Sequence, residues 1–151
     1  MKIAVVKVGK VALKPTQELV DEYIKRIGRY ASPESLILRN SGEKYEVATV
    51  EKLTRLCKSD GIKIALDERG RELSSPDLAK KLDNWINREN QGAITFFIGG
   101  PFGFPSGFLD SVDFVWSLSK STFPSDLAWV LTWEQIYRSF AINHRVSYHH
   151  G

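Results

Sequence analysis

Short apolar runs rich in β-branched and aromatic residues alternate with longer amphipathic stretches all along this chain, and that alternation constrains the fold more than any other feature. Lys2–Val8 reads as a buried strand that ends at Gly9-Lys10. Between Thr16 and Tyr30, apolar residues Leu19, Val20, Tyr23, Ile24, Ile27 and Tyr30 recur at helical spacing, with Thr16 as N-cap. Ser35–Arg39 predicts a second strand, broken by Asn40-Ser41-Gly42, and Val47, Val50, Leu53, Leu56 and Cys57 mark a second helix ending near Gly61. Lys63–Leu66 is the third strand and stops at the charged turn Asp67-Glu68-Arg69-Gly70. Ser75-Pro76 supplies the N-cap and first turn of a third helix, striped by Leu78, Leu82, Trp85 and Ile86 and closed before Asn90-Gln91-Gly92. Ala93–Ile98 and Phe114–Leu118 predict strands four and five. Ser125 or Asp126 caps a last helix with a stripe of Leu127, Val130, Leu131, Ile136, Tyr137 and Phe140, and Asn143–Gly151 reads as a polar tail.

Strands separated by helices of this length need crossover connections, hence a mainly parallel sheet covered on both faces. No linker, repeat or low-complexity stretch interrupts the pattern, so residues 1–151 are expected to form one three-layer α/β domain. The single Cys57 has no partner for an internal disulfide, no apolar run reaches membrane-spanning length, and MKIAVVKVG lacks a secretory cleavage pattern. The expectation is a cytoplasmic protein with no membrane partner. A net charge of +3 permits a nucleic-acid partner without demanding one.

Open parallel sheets bind ligands outside the C-terminal ends of their strands, which here are the exits after Leu66, at Gly99-Gly100 and from Leu118 onward. Phosphate cradles are excluded there. GGPFGFPSG lacks the G-x-G-x-x-G spacing, and Lys120 in SLSKST lacks the glycines of a P-loop. Backbone donors and acceptors flanked by Leu66, Ile98, Leu118 and Phe123 suit a flat, neutral base such as adenine, although the same glycines also fit loops that merely turn the chain. His144, His149 and His150 have no carboxylate or thiol at ligand spacing, so no metal site is expected.

Taken in order, LDERG with a helix beginning SSP, then IGGP, WSLSKSTFP, EQIYRSF and YHH resemble the RlmH family of SPOUT-class methyltransferases. The resemblance implies a sheet whose C-terminal segment threads a loop as a trefoil knot. S-adenosylmethionine would sit bent in the knotted crevice, touched by Leu66, Gly99, Leu118, Ser119, Lys120, Ser121, Thr122 and Phe123. The implied reaction is methylation at N3 of a pseudouridine in large-subunit ribosomal RNA, on the RNA or the ribosomal particle, by a homodimer with its RNA site between subunits.

Arg138, Tyr148 and His149 match family positions near the RNA. Arg138 would pair with a phosphate or the uracil carbonyls, Tyr148 would stack or hydrogen-bond, and His149 would act as base or proton relay, histidine being the side chain that titrates near neutrality. His144 and Arg145 would add positive charge for RNA, and Trp129 and Trp133 fit either a dimer interface or full burial. Two positions depart from the pattern. Pro124-Ser125 stands where relatives commonly carry Pro-His, and Phe102 stands where an acidic residue can occur. Two further readings therefore stay open: a SPOUT methyltransferase with another RNA substrate, and a non-catalytic RNA- or ribosome-binding module on the same fold.

Overall fold

A computed structural model describes residues 1–88 and 92–151. The strands β1 (Lys2–Val8), β2 (Ser32–Leu38), β3 (Gly61–Glu72), β4 (Ala93–Ile98) and β5 (Phe114–Ser117) form one sheet in the order β2-β1-β4-β3-β5, every neighbouring pair parallel. The helices are α1 (Lys14–Ile27), α2 (Val47–Lys58), α3 (Ser75–Ile86) and α4 (Ser125–Asn143), with one turn of 3-10 helix at Phe108–Ser111.

Strand alternation divides the core in two. Ile3 and Val5 of β1, Ile64 of β3, and Ile94, Phe96 and Ile98 of β4 pack with Val20 of α1, Leu78 and Leu82 of α3, and Trp129, Trp133 and Ile136 of α4. Val6 and Val8, Ala65 and Phe97 face the opposite side, against Leu53 of α2 and Phe108. Helices therefore cover both faces, and the α/β architecture has the three layers expected. Their side chains explain why the inner strands read as nearly continuous apolar runs: both faces are buried.

The outer strands and helix ends differ from expectation for local reasons. β2 begins three residues early, at Ser32, and includes Pro33, which an edge strand tolerates because it pairs on one side only. Thr16 lies inside α1, its hydroxyl bonded to Leu13 O, and the N-cap Leu13 has no side-chain bond of its own. Ser74, not Ser75, caps α3 by accepting from Asp77 N at 3.2 Å, while Ser75 Oγ donates to Gln135 of α4 at 2.8 Å. The end signal placed at Asn90-Gln91 lies outside the described residues.

Neither Ser125 nor Asp126 caps α4, which follows Pro124 without a side-chain cap. Asp126 instead turns across to the start of α1, where its Oδ2 accepts from Ala12 N at 2.8 Å and Leu13 N at 2.7 Å. Its Oδ1 lies 3.1 Å from Lys7 Nζ, and that ammonium also donates to Gly9 O and Lys10 O. Lys7 is 1% exposed and Asp126 5%, and this full set of partners is what makes burying the pair tolerable.

Candidate functional site

Three strand exits meet at one end of the sheet. β3 does not stop at Leu66 as expected; it continues to Glu72, with Trp116 of β5 opposite both Leu66 and Arg71, so that Asp67-Glu68-Arg69-Gly70 protrude as a bulge. Asp67 is anchored by Arg69, whose Nε lies 2.9 Å from Oδ1 and Nη2 3.1 Å from Oδ2. The Arg69 guanidinium and amide hold the Asp67 carboxyl below the usual carboxylate range against the opposing effect of burial.

The β4 exit is a tight loop. Gly100 and Gly103 form an antiparallel bridge, and a Cβ on Gly99 would lie 2.7 Å from Gly103 O, so only glycine allows this approach. Gly103, at φ 84°, supplies the left-handed turn. Tyr45, from the loop before α2, clamps this turn: its hydroxyl donates to Gly103 O at 2.6 Å and accepts from Gly100 N at 3.1 Å. Burial raises the Tyr45 pKa and keeps the phenol protonated for that role, although the Gly100 amide pulls the other way. Beyond β5, Ser117 Oγ bonds Ser119 O, Ser119 Oγ accepts from Ser121 N, and Thr122 Oγ1 donates to Glu68 Oε2 at 3.2 Å, tying this segment to the bulge.

Together the exits enclose a cavity of about 960 Å³, a size suited to a small organic ligand. Leu66, Gly99, Leu118, Ser119, Ser121, Thr122 and Phe123 line it; Lys120 lies exposed on the same segment but not on the wall. Phe102, 73% exposed, and Ser125 also line it. Ser125 Oγ is 3.4 Å from Gly99 O, so the hydroxyl that replaces the expected imidazole faces the loop of its own chain. Asp67 and Glu68 are wall residues that the sequence reading treated only as a turn.

Arg138, Tyr148 and His149 form a second cluster. The tail is not loose: after α4, Arg145 N bonds Ile142 O and Val146 N bonds Ala141 O, a Schellman closure in which Arg145 takes the positive φ, 56°, that glycine usually supplies. The chain thereby doubles back, and Tyr148 packs edge-on against Tyr137 at 4.7 Å. Glu134, one turn before Arg138 on α4, accepts from Arg138 Nε at 2.9 Å, from Arg138 Nη2 and from Tyr148 OH at 3.0 Å. Arg138 lies over the Tyr148 ring at 4.7 Å, and its Nη1 is 3.0 Å from His149 Nδ1.

Burial first, then the bonds to Tyr23 and Glu134, push the Tyr148 pKa well above its ordinary value, so the phenol is neutral. Bonding to Glu134 raises that of Arg138. Glu134 was missed as a site residue; its i, i+4 spacing to Arg138 was the available signal. His144 packs on Tyr30 at 4.6 Å, and His150 is exposed.

The two clusters are far apart within the chain. Ser125 at the cavity and Arg138 are separated by thirteen residues of one helix, about 20 Å at 1.5 Å per residue. Trp129 and Trp133 are both 0% exposed, which settles their alternatives in favour of the core; the apolar side chains that α4 presents outward are Leu127 and Leu131. Among the described residues, no group of three or more His, Cys, Asp or Glu side chains could hold a metal ion, and no helix is long and apolar enough to cross a membrane.

A family model described as "predicted SPOUT methyltransferase" matches residues 1–149. Curated relatives named ribosomal RNA large subunit methyltransferase H include one from Acetivibrio thermocellus, 34% identical over 99% of both chains, and one from Desulfotalea psychrophila, 33% identical over 99% of both. A third, from Clostridium perfringens and named ribosomal RNA large subunit methyltransferase H 1, is 35% identical with the same coverage. The solved structure of a probable methylase family protein from Haemophilus influenzae superposes with a TM-score of 0.58 at 11% identity, covering 99% of this chain and 70% of that one, a likeness of fold.

Proposed function

The chain belongs to the SPOUT methyltransferase family, and on that premise we propose that it transfers a methyl group from S-adenosylmethionine to N3 of a pseudouridine in large-subunit ribosomal RNA. The observation that carries the reading is the meeting of the β3, β4 and β5 exits in one cavity of about 960 Å³. The cavity's chemistry suits the donor. Leu66, Ile98, Leu118 and Phe123 offer apolar walls to an adenine ring, with backbone groups of the Gly99 and Ser119 loops within the same space. Arg69, on the same wall, neutralises Asp67, which leaves the Glu68 carboxylate as the charge that favours a cationic ligand. Leu66, Gly99, Leu118, Ser119, Ser121, Thr122 and Phe123 would hold the donor, and Lys120 would close over it from outside. When bound, S-adenosylmethionine supplies an activated methyl group and its sulfur keeps the electrons of the broken S–C bond.

The chain's own work is then positioning. Arg138, Tyr148 and His149 receive the nucleobase, and the exposed Arg145 adds charge toward the RNA backbone. The separation of about 20 Å along α4 keeps these residues from the cavity of their own chain, so the working enzyme is a homodimer in which one copy's acceptor cluster serves the other's cavity. Leu127 and Leu131, one turn apart and 42% and 36% exposed, supply an apolar seam on α4 for that pairing. The same reading includes the C-terminal trefoil thread and a cytoplasmic site of action, where ribosomal particles are met.

The test is incubation of ribosomal particles from a strain lacking this protein with the purified enzyme and isotopically labelled S-adenosylmethionine, followed by nucleotide mass mapping. The expected product is one N3-methylated pseudouridine in the large-subunit RNA. Label on another nucleotide would replace this substrate with a different one. Absence of label with S-adenosylmethionine still bound in calorimetry would leave a methyltransferase with another RNA substrate, and absence of both label and binding would leave an RNA-binding module.

A further inference from the structure

Resting on that methyl-transfer reading, we infer that His149 is a hydrogen-bond donor to the base being methylated and is fixed in that tautomer by Arg138. Glu134 is the positioning residue behind both, and the N3 proton leaves to water instead of to a side chain of the cluster.

The tautomer follows from donor inventories. A guanidinium has only N–H donors and does not lose its proton in proteins. With Arg138 Nη1 at 3.0 Å from His149 Nδ1, the imidazole nitrogen must be the acceptor. In the neutral ring the proton therefore sits on Nε2, which has no hydrogen-bond partner among the described residues. His149 meets a substrate with N–H, not with a lone pair.

No other member of the cluster offers a base. Glu134 Oε1 already accepts from Arg138 Nε, Arg138 Nη2 and Tyr148 OH, and its Oε2 accepts from Gln135 Nε2 at 2.7 Å. The Tyr148 hydroxyl donates a hydrogen bond to that carboxylate and keeps its proton, because burial holds the phenol neutral. What remains without a partner among the described residues is a set of donors, the second N–H of each Arg138 Nη and His149 Nε2–H.

Donors are the useful groups for a uracil ring methylated at N3. When the N3–H bond breaks, the negative charge spreads to the two flanking carbonyl oxygens, where hydrogen bonds and a positive charge stabilise it. The proton passes to a water molecule and the bonding pair stays on the ring, leaving the N3 lone pair to accept the methyl group. Arg138 and His149 thus make N3–H easier to ionise, in the manner of an oxyanion hole. Glu134 does not touch the substrate; it aims Arg138, which in turn selects the His149 tautomer.

Glutamine separates donor from base, because its amide N–H₂ can replace Nε2–H but cannot take a proton. In single-turnover methylation of ribosomal particles, His149→Ala should lose on the order of 100-fold and His149→Gln should recover at least about tenfold of that loss. Equal activity of the two variants would overturn the donor role. An independent measurement is long-range ¹⁵N–¹H correlation on histidine-labelled homodimer without RNA. His144→Gln and His150→Gln variants would assign the signals of the three histidines. His149 should show the proton on Nε2 alone, and Glu134→Gln or Arg138→Ala should release it into a tautomer mixture. A proton on Nδ1 of His149 in the unsubstituted protein would overturn the inference whatever the activity. If the unsubstituted protein methylates no ribosomal RNA, the functional reading fails while the tautomer measurement still stands.

Discussion

Tyr45 acts on the cavity without lining it. One hydroxyl joins Gly100 N and Gly103 O, the two sides of the loop that supplies Gly99 to the wall. Tyr45→Phe keeps the ring and leaves both backbone groups without that partner, a loss of about 1–1.5 kcal/mol in the ordered loop. S-adenosylmethionine should then bind about five- to tenfold more weakly in calorimetry, and an unchanged Kd would remove Tyr45 from the loop's support. The sequence offered no route to this residue: Tyr45 follows a break at Asn40-Ser41-Gly42, and its partners are more than fifty residues ahead. Glu134 is the contrasting case, since its partner Arg138 was one helical turn away and the pair was legible from spacing. Arg145 marks a third kind of limit. A non-glycine residue in the left-handed region gives no signal in composition, yet it turns the expected polar tail back onto α4 and brings Tyr148 and His149 to Arg138.

One buried ion pair spans the join between β1, α1 and α4 beside their shared apolar core. Burial works against ionisation of Asp126, but the Leu13 amide, Lys7 and the Ala12 amide together outweigh it and hold the carboxyl below its ordinary range. A carboxylate with a depressed folded pKa stabilises the fold above its unfolded pKa, and that stability is lost as pH falls through the folded value. Asp126→Asn leaves the Lys7 ammonium buried without its counter-charge, costing about 3 kcal/mol at neutral pH. Urea unfolding should show that gap narrowing below about pH 4, as the unsubstituted protein protonates Asp126 and the variant has nothing to lose there. A gap that stays constant to pH 2 would exclude this pair as the source. Sequence reading placed Asp126 at the start of α4 correctly but gave its carboxylate to the wrong helix, because capping preference is local and the Ala12 and Leu13 amides come from a distant part of the chain. The bulge in β3 has a similar origin: Asp67-Glu68-Arg69-Gly70 looks like a stop until Trp116 is seen to pair on both sides of it.

At the scale of the whole molecule, periodicity identified five strands but not that β4 lies between β1 and β3, because strand order is a property of crossovers and not of any one segment. It also could not measure the distance between the two residue clusters, which needs α4 to be continuous from Ser125 to Asn143. That continuity makes the dimer proposal testable by mixing defects. Gly99→Val should disable the cavity, since even a Cβ there would lie 2.7 Å from Gly103 O, and Arg138→Ala should disable the acceptor cluster. Each homodimer should be nearly inactive. In a mixed dimer, the intact cavity of the Arg138→Ala chain meets the intact cluster of the Gly99→Val chain, while the opposite site carries both defects. Random exchange at equal amounts makes about half of the dimers mixed, each with one working site, so about a quarter of the original methylation should return. If donor and acceptor residues served the same chain, each site in the mixed dimer would carry one defect and no activity would return, which would place the acceptor's path around α4 instead of across the subunit boundary.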